Sequence, residues 1–165
     1  MKKLSCLLLC LAVLLVSVSC AATPAVFTAD GLSLTLDTTF EVLESPKHTF
    51  SAVSKAHMYV VTIDSESFAN LEQLEYATDM STADYAARAL EKNEMEAKIQ
   101  TSKDIAFYTY EKDIEGTAFT YMATFHRLGD AYWTVTFGSE SKDFSKAQPQ
   151  FWDWADTVTY LRPQA

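Results

Sequence analysis

Cysteine occurs at only three positions, Cys6, Cys10 and Cys20, all within the first twenty residues. From residue 21 onward there is none, so that stretch holds no disulfide, no thiolate nucleophile and no cysteine metal ligand. Glycine and proline are scarce, with four of each, which excludes collagen-like and proline-rich linker architectures. Basic residues are also few: 13 against 22 acidic ones, for a net charge of -9. That balance argues against a basic face for nucleic acid. What the chain has is apolar and aromatic mass. Of its 165 residues, 48% are hydrophobic, with 10 Phe, 8 Tyr and 3 Trp. This is the composition of one packed domain with a leader or tail, not of a disordered polyampholyte.

The leader is distinct. Lys2 and Lys3 precede an uncharged apolar run from Leu4 to Val18. Its length suits the hydrophobic region of a secretory signal better than a membrane span. The stretch Val16-Ser17-Val18-Ser19-Cys20 resembles a bacterial lipoprotein processing site, although Ser17 stands where a larger aliphatic is usual. On this reading residues 1–19 leave as a signal peptide, together with Cys6 and Cys10. Cys20 then becomes the lipidated first residue, carrying acyl chains such as palmitate, and residues 20–26 form a tether. Ordinary cleavage between Ser19 and Ala22, giving a freely secreted protein, stays open, as does an uncleaved anchor. Loss of Lys2 and Lys3 leaves 11 basic against 22 acidic residues, a net charge of -11. Anionic headgroups would repel such a surface, so lipid rather than a basic patch would hold the chain at a bacterial membrane.

Residues 27–162 read as a single domain. Leu32, Leu34 and Leu36 alternate with Ser33 and Thr35, a half-buried strand pattern behind an Asp30-Gly31 turn. His57 to Ile63 is apolar on both faces, which predicts a central strand covered on both sides. Residues 64–80 are mixed, with a helical turn at Phe68 to Leu74. Ser81 is placed to cap a helix over about 82–95. Tyr85, Ala86, Ala89 and Leu90 form its inner face, with Arg88, Glu91, Lys92 and Glu94 mostly outside. An antiparallel meander follows. It runs through Ile105–Tyr110, a turn-containing segment at 111–116, Ala118–His126, a turn at Arg127–Asp130, and Ala131–Phe137. Residues 141–156 are helical, at least after Pro149 in a first turn, and Thr157–Leu161 closes the chain. Helices on an antiparallel sheet with two apolar faces make an α+β domain, an α/β/α sandwich.

The order and local motifs of this domain resemble the PsbP-like family, whose superfamily includes a Ran-binding import factor. The resemblance rests on Phe27-x-x-Asp30-Gly31-x-Ser33-Leu34-x-Leu36, on Tyr85-Ala86-Ala87, and on Tyr108-x-Tyr110 through Gly116. It continues in Phe119-x-Tyr121, Gly129-Asp130-x-Tyr132-x-x-x-Thr136-Phe137 and the closing Phe151–Tyr160. It implies an antiparallel sheet between helical layers and a mostly non-catalytic family of binding and assembly proteins, many of them bacterial lipoproteins. It transfers neither a photosystem role nor Ran binding to any residue here.

The chemistry-bearing residues are sparse. There is no glycine-rich phosphate loop, serine nucleophile elbow or His-Glu-x-x-His helix. A metal site from His57, His126 and a carboxylate is conceivable only if the fold brings them together, and locally bonded histidines are the simpler reading. Glu72 with Glu75, and Glu91 with Glu94, share helical faces at i,i+3 and read as solvated. No catalytic residue, cofactor or metal is expected. On the helix around Phe151-Trp152-Asp153-Trp154 the two indoles point apart, so one of Trp152 and Trp154 either packs on the core or rim of the sheet, the simpler reading, or is exposed as a contact for a partner. The expectation is a non-enzymatic, membrane-anchored binding or assembly module. The alternatives are a small-ligand or cation-binding lipoprotein and a hydrolase with an unrecognised acidic site.

Overall fold

The computed structural model describes residues 22–161. The signal peptide expected over 1–19, the lipidation expected at Cys20 and the expected end of the domain at 162 lie outside the described residues.

The chain enters at once into a hairpin, β1 (Pro24–Ala29) and β2 (Leu32–Asp37). Asp30 and Gly31 turn it with φ of 47° and 89°. Two successive positive φ values are what a two-residue turn needs to match strand twist, and glycine adopts them without a Cβ penalty. Pro24, Ala25 and Val26 pair with Asp37, Leu36 and Thr35. They therefore belong to the domain, and the tether expected over 20–26 ends sooner. Six residues pairing backbone to backbone outweigh the weak turn signals of Thr23-Pro24.

A seven-stranded antiparallel sheet carries most of the rest. It comprises β3 (Phe40–Val42), β4 (Phe50–Ser54), β5 (Tyr59–Ser67), β6 (Gln100–Ser102), β7 (Ile105–Ile114), β8 (Thr117–Leu128) and β9 (Ala131–Glu140), in the order β3-β4-β5-β9-β8-β7-β6. β7 runs four residues past Tyr110, because Glu111–Ile114 pair with Thr117–Thr120 and the turn shrinks to Glu115-Gly116. Three helices complete the fold: α1 (Phe68–Gln73), α2 (Thr82–Lys92) and α3 (Phe144–Ala155). A last short strand, β10 (Thr159–Tyr160), pairs with β2 to make a separate three-stranded sheet. Ser81 caps α2, accepting from Asp84 N–H at 3.1 Å while its hydroxyl donates to the Asp84 carboxylate at 2.6 Å. Pro149 sits inside α3 rather than in its first turn.

The layers follow from strand alternation. One face of the large sheet presents Val61, Ile63, Met122, Val135 and Phe137 to the small sheet's Leu32, Leu34 and Leu36 and to Phe151 and Trp154 of α3. The opposite face presents Tyr108, Ala123, Phe125 and Tyr132 to Leu71 of α1 and to Tyr85, Ala86 and Leu90 of α2. The result is two antiparallel sheets flanked by three helices, an α+β sandwich. Among the described residues no helix is long and apolar enough to cross a membrane.

One expectation about cover is met only by half. β5 is sealed on the α3 side, where Val61 and Ile63 are buried, but Val60 and Thr62 on its other face are only partly covered. α1 and α2 lie over β7, β8 and the far end of β9, and stop short of that end of β5.

Candidate functional site

The uncovered part of the sheet is the floor of a groove. The turn containing Lys47 and His48, between β3 and β4, borders it on one side, and α2 borders it on the other. Its larger cavity is about 450 Å³, floored by Asp64, Glu66, Tyr108 and Thr134. A second cavity of about 320 Å³ adjoins it at His48 and is lined by Val60, Thr62, Tyr110 and Tyr121. Tyr110 and Tyr121 stack with ring centroids 5.1 Å apart. Burial pushes the Tyr110 hydroxyl up to about 12, so it stays a neutral phenol.

Glu66 is the most heavily engaged charge in the groove. It is 8% exposed, and strand alternation on β5 points it at α2. Arg88 donates Nη1 to its Oε2 at 2.5 Å and Nη2 to its Oε1 at 3.1 Å. Tyr85 donates its hydroxyl at 3.0 Å and Asn70 its amide at 3.4 Å. Lys92 stands 3.5 Å away. Burial alone would raise the Glu66 carboxyl. The hydrogen bonds from Arg88 and Tyr85 and the nearby Lys92 outweigh burial and hold it below its ordinary value. Tyr85 is driven the other way, first by burial and then by the Glu66 charge, and remains a hydrogen-bond donor. The Arg88 guanidinium also lies over the Tyr76 ring at 4.1 Å, and its Nε–H is buried without an acceptor. Towards the turn, His48 donates Nδ1–H between the two oxygens of Asp64, both at 3.0 Å.

The residues singled out from sequence fall elsewhere. Trp154 is 5% exposed and sits in the core against Phe40 and Phe137. It is closed to a partner, because the helix turns that indole inward onto the sheet. Trp152 is partly buried and packs edge-on against Phe107 at 4.9 Å. His57 lies in the turn before β5, stacked on Tyr59, while His126 is buried on β8 beside Thr124. Among the described residues no group of three or more His, Cys, Asp or Glu side chains could hold a metal ion. Glu75 and Glu94 lie beyond the ends of α1 and α2 with positive φ, so neither carboxylate pair shares a helical face. Arg88, expected mostly outside α2, turns inward because Glu66 waits for it 22 residues upstream. The signal for this was faint: a Glu at the end of an alternating strand and an Arg one helical turn after an inward Tyr.

Neither a family profile nor any curated protein matches the chain. Solved structures do resemble it. A protein of Bacteroides thetaiotaomicron aligns with TM-score 0.55 at 12% identity, over 84% of this chain and 48% of that one. This chain thus spans about half the length of that relative. Cyanobacterial PsbP of Synechocystis aligns with TM-score 0.51 at 11% identity, over 84% of this chain and 93% of that one. The Ran-binding protein Mog1p of Saccharomyces cerevisiae aligns with TM-score 0.56 at 7% identity, over 86% and 97%. Such identities show a shared fold. What these structures support in the PsbP-like resemblance is the shared α+β sandwich architecture.

Proposed function

We propose that the chain is a non-enzymatic binding module, exported and held at a membrane by lipid on Cys20, that takes its ligand in the groove beside α2. The observation that carries the reading is the half-open sheet face, where the domain leaves a polar concavity between a helix and a turn. The state of the charged groups supports binding rather than catalysis. Both oxygens of Glu66 are taken by Arg88, and Oε2 also by Tyr85, so that carboxylate is tied to α2 instead of being presented to a substrate. Ser51 and Thr62 line the groove near His48, but no hydroxyl among the described residues is bonded to that ring.

Export and lipidation rest on the leader and the Ser19-Cys20 junction. Only Ala21, Ala22 and Thr23 separate Cys20 from β1. At about 3.5 Å per extended residue, the domain would ride within roughly 14 Å of its anchor.

Two measurements test this. Cys20→Ala in the full chain should move the protein from the membrane to the soluble fraction, and retention in the membrane would refute the anchor. For binding, the full chain is isolated from its own membranes and weighed by native mass spectrometry. A bound small molecule should vanish in Thr134→Trp and Ala89→Phe, which fill the groove, and persist in Trp152→Ala. An adduct indifferent to groove filling, or none at all, would sink the groove reading. A protein partner docking on the partly exposed Trp152 is the second reading, and loss of binding in Trp152→Ala alone would favour it.

A further inference from the structure

The groove concentrates the charge that the rest of the chain lacks. Of the 13 Lys and Arg, ten fall in the described residues. Four of those ten, Lys47, Arg88, Lys92 and Lys112, line the two joined cavities, against only Asp64 and Glu66 of the 22 acidic residues. A chain of net charge -9 thus has a concavity with two more cationic than acidic side chains. Charge segregated against the overall balance, in a cleft with low-dielectric walls, concentrates ligands of the opposite sign.

The donors are arranged to match. Glu66 consumes one N–H on each terminal nitrogen of Arg88. A guanidinium carries five, so three remain, and one of these, Nε–H, is buried without an acceptor. Lys47 and Lys92 are solvent-exposed on the two borders of the larger cavity, Lys92 with its ammonium 3.5 Å from Glu66. The C-terminal end of α2, which would ordinarily repel an anion, is covered. The Asn93 backbone N–H and side-chain amide both donate to the Ala89 carbonyl, at 3.2 and 2.7 Å.

We propose that the groove takes a small anionic ligand, its carboxylate or phosphoryl group seated between Lys47 and Lys92 beside Arg88. This rests on the reading of the groove as the binding site. Glu66 is the fixed internal anion that keeps Arg88 in place when the groove is empty. The ligand supplies the second one.

The test is calorimetric titration of the full-length chain, purified in detergent, with inorganic phosphate, citrate, glucose and putrescine. Phosphate or citrate should bind saturably, and which of the two binds tells phosphoryl from carboxylate recognition. Affinity should fall as salt rises. The double variant Lys47→Ala/Lys92→Ala should raise Kd about tenfold, while Lys55→Ala, whose ammonium pairs with Glu41, leaves it unchanged. Lys47→Ala alone, which breaks no ion pair among the described residues, should melt as wild type and still weaken binding, whereas the double variant also loses the Lys92 contact with Glu66. No saturable binding of phosphate or citrate overturns the proposal. Binding of glucose or putrescine that is insensitive to the double substitution but lost in Thr134→Trp overturns it too, while leaving the groove reading intact.

Discussion

The ring of Tyr160 lies directly on Gly129, where a Cβ would come within 2.6 Å of it. Tyr160 belongs to β10 of the small sheet, and Gly129 is in the β8–β9 turn of the large one. The same ring also approaches Gly31, where a Cβ would stand 3.1 Å away. One aromatic side chain thus joins the turns of two sheets, and the turn glycines make room for it.

Gly129 has φ of 64°, so alanine there meets both a disfavoured backbone and the Tyr160 ring. Gly129→Ala should destabilise by about 1–3 kcal/mol. In a Tyr160→Ala background the penalty should shrink towards the backbone part alone. A double-mutant cycle from urea denaturation reads the difference. Equal penalties in both backgrounds would mean that the ring contact contributes nothing.

Glu66 and Arg88 are 8% and 11% exposed, so removing one charge leaves the other buried. Glu66→Gln should cost about 3 kcal/mol at neutral pH. The sign with pH follows from the lowered carboxyl. The folded state binds the proton more weakly than the unfolded chain, so the stabilisation is full above the ordinary value of 4.5 and is lost as pH falls below it. Denaturation of wild type and variant across pH 3 to 7 should therefore show two curves well separated at neutral pH and converging in acid (range set by the lowered carboxyl).

His126 gives a separate window. Burial pushes its imidazole from 6.5 down to about 4. Between those values the unfolded chain takes up a proton that the folded one refuses. Stability should thus fall by up to ~3 kcal/mol as pH drops through that range. His126→Gln should flatten this part of the profile while leaving the Glu66 part below 4.5. An unchanged slope would assign the acid sensitivity elsewhere.

The two tryptophans of α3 should behave differently. Trp154→Ala empties a site packed by Phe40, Phe137 and Phe151 and should cost about 3–5 kcal/mol. Trp152→Ala loses one edge contact with Phe107 and part of its burial, for about 1–2 kcal/mol. Chemical denaturation separates them, and a reversed order would contradict the inward turn of Trp154.

Much of the fold is local and hence legible. β2, β8 and β9 alternate with period two, and Ser81 announces α2, because burial of one sheet face and a capping hydroxyl write themselves into neighbouring residues. The groove is not local. Val60 and Thr62 look like a covered face, since apolar alternation says nothing about where a helix ends overhead. Arg88 sits among Glu91, Lys92 and Glu94 and resembles them until β5 supplies Glu66. Glu111–Ile114 is polar enough to pass for a turn, yet it extends β7, because at an exposed hairpin tip backbone pairing alone sustains the strand. Pro149 breaks the local rule for a helix interior and is tolerated in a helix pinned by Phe151 and Trp154.

The margins of the sheets have their own consequence. β3 and β6, at the two rims of the large sheet, have three residues each, and β10 has two. The remaining rim, β1, begins with Pro24, which has no N–H to donate. The longest open edge is instead on β7, where only Ile105–Phe107 pair with β6 and Tyr108–Ile114 have a neighbouring strand on one side alone. That edge carries Glu111, Lys112 and Asp113, charges that work against its zipping onto a neighbouring copy when many such domains are packed side by side.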